Sequence, residues 1–386
     1  EYRTRLREKK KEVRQSLVQT FAEDMRSVRD DFIALQGGQA TTPQQKRWSE
    51  ALEKKPNEVM RALSTLLEAG NEAELNSSWE ALRGVKVAKE AALGNLTRTD
   101  FGRWIPSGVS FESAPRPAGD FILAAKGDHA VAAFVGGRPA AGHLASRFAG
   151  SLKSPTFSLE GDRVQVRVKG RNVRVSLYVR HYELIGKGPT TNGTTKVVNS
   201  DTWQTITFNT KLWIGEPAYV EVQHNGGEMR FDWSTDKHVD GAYAVVESAV
   251  HNAPLPPPVQ AGPAWHIEGP APNSRESMLD HLETRVGKLA EAWRKGKLTM
   301  AQNDLLMGLH GAGVLEFNIT RSEALKIAVE AYRNIQLEIP SPTYVRSLSD
   351  GWGADEPVYI RGSHRNPSPE PNPRHFLHGI DGTPFK

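Results

Sequence analysis

The sequence predicts an α+β protein in which a β-sandwich is inserted between helical amino- and carboxy-terminal segments. Three observations lead there. Between about 155 and 251, apolar residues fall at every second position, as in Val164-Gln-Val-Arg-Val168 and Val173-Arg-Val-Ser-Leu-Tyr-Val179. That is the period of a strand with one buried face. Before residue 95 and after Pro272 the apolar spacing changes to three, four and seven, the period of an amphipathic helix. Clusters of Gly, Asn and Asp punctuate the alternating runs, as hairpin turns require.

Residues 2–36 carry Leu6, Val13, Leu17, Phe21, Met25, Val28, Phe32 and Leu35 on one stripe and predict a single long helix, stopped by Gly37-Gly38. Helices follow near 43–54, 56–69 and 71–93, with Pro43 and Pro56 suited to first turns. From Phe101 the character changes. Phe101-Gly-Arg-Trp104, Phe111, Gly119–Leu123 and Ala130–Phe134 read as short strands of the same sandwich, which continues through Thr205–Phe208, Ala218–Val222 and Ala242–Val246. Ala253-Pro-Leu-Pro-Pro-Pro258 is a stiff exit. Ser277 is placed to cap a helix running to about Lys297, Thr299 starts another, and Thr320-Arg-Ser-Glu323 has capping-box spacing before a helix at 324–336. The tail from Pro340 reads as mostly loop. The expected organisation is therefore a helical segment (1–95), a sandwich of the galactose-binding-like or jelly-roll kind (100–252), a Pro-rich linker (253–272) and a helical region with a loop-rich tail (273–386). The two helical parts should pack on each other, because each presents an apolar stripe that needs a partner.

Composition narrows the function classes. The formal charge is only +4 over 386 residues, and no basic stripe interleaves with aromatics, so no nucleic-acid partner is expected. No apolar run approaches the roughly 20 residues of a membrane helix, so no membrane span is expected in this sequence. The chain has no cysteine, which removes disulfides, thiolate metal sites and cysteine nucleophiles within it. It opens on Glu1 inside a helical pattern, which reads as an excised part of a longer polypeptide. Gly-x-Ser-x-Gly, Walker and dinucleotide fingerprints are missing.

Glu356-Pro-Val-Tyr-Ile-Arg-Gly-Ser-His-Arg365 and Pro373-Arg-His-Phe-Leu377 resemble the motif of a family of large planctomycete proteins of unknown function. Members join an amino-terminal c-type cytochrome domain to two conserved uncharacterised regions. Asp100-Phe-Gly-Arg-Trp104, Gly119-Asp-Phe121, Gly150-Ser-Leu-Lys-Ser-Pro-Thr-Phe157, Asp201-Thr-Trp203, Leu212-Trp-Ile-Gly215 and Ala218-Tyr-Val-Glu221 are similar to the same proteins, so the resemblance covers nearly all of 95–386. It implies a middle portion ending just inside the second conserved region, located in the periplasm or cell envelope. The remaining regions of the same polypeptide are then its partners. The Cys-x-x-Cys-His haem motif is absent here, so no electron-transfer role falls to this portion. The sandwich is also similar to the galactose-binding-like modules attached to fructan-degrading glycosidases, which implies a polysaccharide or glycan as ligand.

Carbohydrate recognition needs an aromatic face for C–H surfaces and planar polar groups for hydroxyls. Arg180, Tyr182, Glu183, the polar loop 190–199 with Asn192 and Asn199, Trp203 and Asp240 supply these types; their plain alternative is strand surface and rim packing. No cofactor is expected apart from a candidate structural calcium ion. Glu160, Asp162 and Glu247 would be its ligands if the strands bearing them lie side by side. His364, His375 and His378 crowd the tail without the i, i+4 spacing of a helical zinc site and read as solvated or docking residues. Asp236, His238 and Asp240 could mimic an acid–base group, but nothing marks a nucleophile. The expected function is a non-catalytic carbohydrate-binding or scaffolding portion of a larger cell-envelope protein. The rival is part of a haem-linked redox or polysaccharide-processing enzyme whose active site is completed elsewhere.

Overall fold

The computed structural model describes residues 1–83, 93–180, 194–224, 239–255, 269–340, 356–362 and 367–372. Glu1–Arg346 form one compact unit and Ser347–Lys386 another. The first unit is built of helices α1 (Tyr2–Asp24), α2 (Val28–Gln36), α3 (Pro43–Lys54), α4 (Glu58–Glu68) and α5 (Glu72–Arg83), then strands, then α6 (Arg275–Arg294), α7 (Met300–Gly311) and α8 (Glu323–Glu338). The strands are β1 (Ile105–Gly108), β2 (Phe121–Leu123), β3 (Val131–Phe134), β4 (Ala140–Ala141), β5 (Gly150–Lys153), β6 (Phe157–Ser158), β7 (Arg163–Val179), β8 (Thr195–Asn209), β9 (Pro217–His224) and β10 (Tyr243–His251).

The helices from both ends of the chain share one core, as their apolar stripes require. Leu6, Val13, Leu17 and Phe21 of α1 meet Leu282, Leu289 and Trp293 of α6 and Leu325, Val329 and Tyr332 of α8. Phe21 and Trp293 pack edge to face at 6.0 Å. The expected long first helix is broken at Met25–Ser27, where the buried Asp24 carboxylate accepts from Arg321. The periodicity survives the break because Val28 and Phe32 remain buried on the same core. Three caps also differ from expectation. Asn57 caps α4, leaving Pro56 before the helix rather than in its first turn; Ser274 caps α6 with Ser277 at its third position; and Ser322 caps α8, leaving Thr320 in a 3₁₀ turn. Thr42 and Thr299 form full capping boxes with Gln45 and Gln302.

Eight strands make one curled antiparallel sheet in the order β1-β5-β9-β7-β10-β4, with β6 beside β9 and β8 beside β7. β7 creates the curl. Its first half pairs with β10 (Val164 opposite His251) and its second half with β9 (Val173 opposite His224). The hand-over is Gly170-Arg171-Asn172, where the inward side chains switch from even positions (Val164, Val166, Val168) to odd ones (Val173, Val175, Leu177). Gly170 has φ +146°, and a Cβ there would lie 2.0 Å from the Tyr243 carbonyl oxygen, so only glycine allows the strands this close. Both halves feed one sandwich core with Trp104, Phe111, Val220, Val222 and Phe208.

The segment 101–134 departs from the expected strands. Phe101–Trp104 is a turn closed by the Trp104 N–H donating to the Phe101 carbonyl at 3.0 Å, and Phe111 lies outside any strand. β2 and β3 pair only with each other. The reason is that both faces of this hairpin are apolar. Phe121, Leu123, Val131 and Phe134 enter the helical core, whereas Ile122 and Ala133 pack on Tyr243 and Val245 of β10. The hairpin is thus a middle layer between helices and sheet. An ion network also joins α1 to the segment leading into β2: Lys10 Nζ bonds Asp120 at 2.6 Å and the His143 carbonyl at 2.9 Å, and Arg116 bridges Asp120 and Glu112, each at 2.7 Å. In the second unit, β11 (Glu356–Tyr359) and β12 (Pro367–Asn372) pair antiparallel with Glu356 opposite Asn372.

Candidate functional site

A cleft of about 570 Å³ opens where the middle hairpin, the sheet and α8 meet. Leu123 and Val131 of the hairpin and Leu337 of α8 supply apolar wall, and Arg147, Arg171, Asp240, Arg333 and Gln336 supply polar groups. Each is held by its own local chemistry. Arg333 clamps the hairpin, donating from Nε to the Ala124 carbonyl at 3.0 Å and from a terminal nitrogen to that of His129 at 3.1 Å. Arg147 donates to the carbonyls of Leu337 at 3.1 Å and Ile339, where the end of α8 favours a cation. Its Nε lies 3.5 Å from the Asp240 carboxylate. Gln336 donates to the Leu144 carbonyl at 2.9 Å. Arg171, at the bend of β7, makes a two-pronged pair with Asp201 at 3.0 and 2.5 Å, and Asp201 also accepts from the Tyr243 hydroxyl at 2.6 Å. The Arg171 guanidinium holds the Asp201 carboxyl below the ordinary carboxylate range.

Beside the cleft, the outer face of β7 and β10 buries a charged group. Val246 stands opposite Val168 and Ser248 opposite Arg167, so Glu247 is the extra residue of a bulge, on the Arg167 side. Its carboxylate accepts from Arg167 at 2.9 Å and from Arg138 at 3.2 Å. Trp203 of β8 covers this group, with the Arg138 guanidinium 5.6 Å and the Lys169 ammonium 5.0 Å from its ring centre. Burial, reinforced by Arg138, pushes the Lys169 pKa down to about 8.

Of the residues expected to form one sugar surface, the structure separates those it describes. Asp240 lines the cleft, but Arg180, paired with Glu216, lies just past the end of β7, nine residues beyond Arg171, roughly 25–30 Å along an extended strand. Asn199 accepts from the Asn172 N–H at 2.7 Å, so its amide props the bend of β7, where Asn172 holds φ +55°. Trp203 packs on the outer face against the small cluster of Tyr243 and Val245 rather than offering an open ring. Tyr182, Glu183 and Asn192 lie outside the described residues, as do Asp236, His238, His364, His375 and His378.

The carboxylates read as calcium ligands are not brought together either. β7 and β10 do lie side by side, but both Glu247 oxygens are bound by guanidinium groups. Glu160 and Asp162 sit exposed at the start of β7, near the far end of β10. Among the described residues no group of three His, Cys, Asp or Glu could hold a metal ion. Two features escaped the sequence reading. One is the cationic lining of the cleft, contributed by residues with no common spacing. The other is Tyr178 stacked on Tyr219 at 4.7 Å on the outer face near Arg180, which strand alternation places on the same side as Arg180.

No protein-family model matches the chain, and no curated protein matches it. Among solved structures, the chain is similar to the K1 cleaved adhesin domain of Lys-gingipain from Porphyromonas gingivalis W83, at 12% identity and TM-score 0.25, over 42% of this chain and 96% of that one. The K3 cleaved adhesin domain of the same protein is similar at 11% identity and TM-score 0.23, over 42% of this chain and 97% of that one. Among the described residues no helix is long and apolar enough to cross a membrane.

Proposed function

We propose that the chain is a non-catalytic, carbohydrate-binding portion of a larger cell-envelope protein, of the planctomycete kind its motifs resemble, and that the cleft is its binding site. One observation carries this reading. The cleft combines apolar wall with planar polar groups fixed by backbone hydrogen bonds, and among its described lining residues Asp240 is the one carboxylate. Rigid forks and amides beside apolar surface suit the mixed C–H and hydroxyl surface of a sugar. Glycoside cleavage in its usual form needs a second acid facing the first across the bond.

Isothermal titration of the whole chain with a panel of neutral and acidic polysaccharides, alongside a reducing-end assay, tests the reading. Binding without release of reducing ends is the expected result. Turnover by the chain alone, or no binding across the whole panel, overturns it.

A further inference from the structure

Building on that reading, we propose that the cleft selects acidic saccharides, those carrying carboxylate or sulfate groups, through the cationic cluster of Lys126, Arg147, Arg171 and Arg333. Among the described lining residues, Lys126 and three arginines held by hydrogen bonds stand against the single carboxylate of Asp240. Arg333 directs its hydrogen bonds to backbone carbonyls, which leave its full positive charge in place. Arg147 does the same, with the Asp240 carboxylate 3.5 Å from its Nε. Asp128 and Glu330 lie within electrostatic reach of Arg333 but are not part of the lining. Arg171 shares its charge with Asp201, which also accepts from Tyr243 and is not among the lining residues. Lys126 is exposed at the hairpin tip. A concave site with apolar walls and one sign of charge concentrates the opposite sign within it.

The lining also decides between ligand classes. Among the described lining residues His129 is the one aromatic ring and there is no Phe, Tyr or Trp, so those residues lack the broad platform on which neutral sugar rings and nucleobases stack best. What remains is ionic recognition, and guanidinium forks match the paired oxygens of carboxylate and sulfate esters. The bound groups then sit between the hairpin tip and the bend of β7.

The whole chain is titrated at low salt with dextran, dextran sulfate, polygalacturonate and a single-stranded oligonucleotide, and the titrations are repeated with Lys126→Glu and Arg171→Gln. Both acidic polysaccharides should bind at least about tenfold more tightly than dextran. Lys126→Glu, at an exposed position, should weaken the acidic polysaccharides by roughly tenfold and reduce the salt dependence of their binding. Circular dichroism melts confirm that each variant remains folded. Dextran bound as tightly as dextran sulfate overturns the acidic selectivity while leaving the carbohydrate-binding reading intact. No effect of Lys126→Glu, or an oligonucleotide bound as tightly as the acidic saccharides, also overturns the proposal. Failure of all saccharides to bind removes both.

Discussion

Replacing Glu247 by Gln removes one negative charge and keeps the shape of the side chain. In the folded protein the Glu247 carboxylate is 2% exposed, and its partners Arg138 and Arg167 are 4% and 9% exposed. The substitution therefore strands two guanidinium groups away from water without the carboxylate that both address. Breaking a buried ion pair by removing one partner costs about 3–5 kcal/mol, because the remaining charge keeps its desolvation penalty. Glu247→Gln should thus lower the guanidinium chloride unfolding midpoint by an amount equivalent to that loss, with little change in slope. Glu216→Gln is the internal control. It removes a carboxylate paired with Arg180, whose side chain is 66% exposed, and should cost no more than about 1 kcal/mol. If Glu247→Gln is as mild as Glu216→Gln, the buried cluster does not hold the sheet as argued. The same experiment with added calcium or chelator tests the metal reading of this carboxylate. Because both oxygens are already bound by arginine, neither additive should move the wild-type midpoint through Glu247.

Two other substitutions separate packing from binding and set the acid response. Burial pushes the His310 pKa down to about 4, and its Nδ1–H donates to the Leu315 carbonyl at 3.0 Å, so the folded state holds this ring neutral. Below about pH 6.5 the unfolded chain takes up this proton first, so stability is full above that pH and falls as pH drops toward 4, by up to about 3 kcal/mol. His310→Phe should flatten this limb relative to wild type in denaturant melts taken across that range, and identical slopes would refute the assignment. Trp203→Ala should cost about 2–3 kcal/mol by opening the cover over Arg138 and Lys169, yet change polysaccharide Kd less than about twofold. Loss of binding with stability preserved would return Trp203 to the role of a sugar platform.

Local chemistry was readable from the chain because it depends on neighbours in sequence. Strand alternation in 164–179 and helical spacing at both ends follow from which side of one element meets water. Even the parity switch across Gly170-Arg171-Asn172 is written there, since one face must stay apolar through the bend. Local spacing becomes ambiguous where two answers fit equally. Thr320 and Ser322 both suit an N-cap, and the structure places Ser322 there, with Asn318 capping the preceding 3₁₀ turn. Placement in space was not readable. The unbroken apolar runs Phe121–Leu123 and Ala130–Phe134 fit a hairpin buried on both faces but cannot say that one face belongs to the helices and the other to β10. Glu247 meets Arg138 from 109 residues away and Arg167 from 80, and the cleft draws its lining from five separated segments. Of the residues singled out from the sequence for binding, Asp240 is the one among the described residues that lines it. The chain alone thus settles which faces are wet and which are dry. Which distant charges share a desolvated space depends on how the layers stack, and packing between remote segments leaves no period along the sequence.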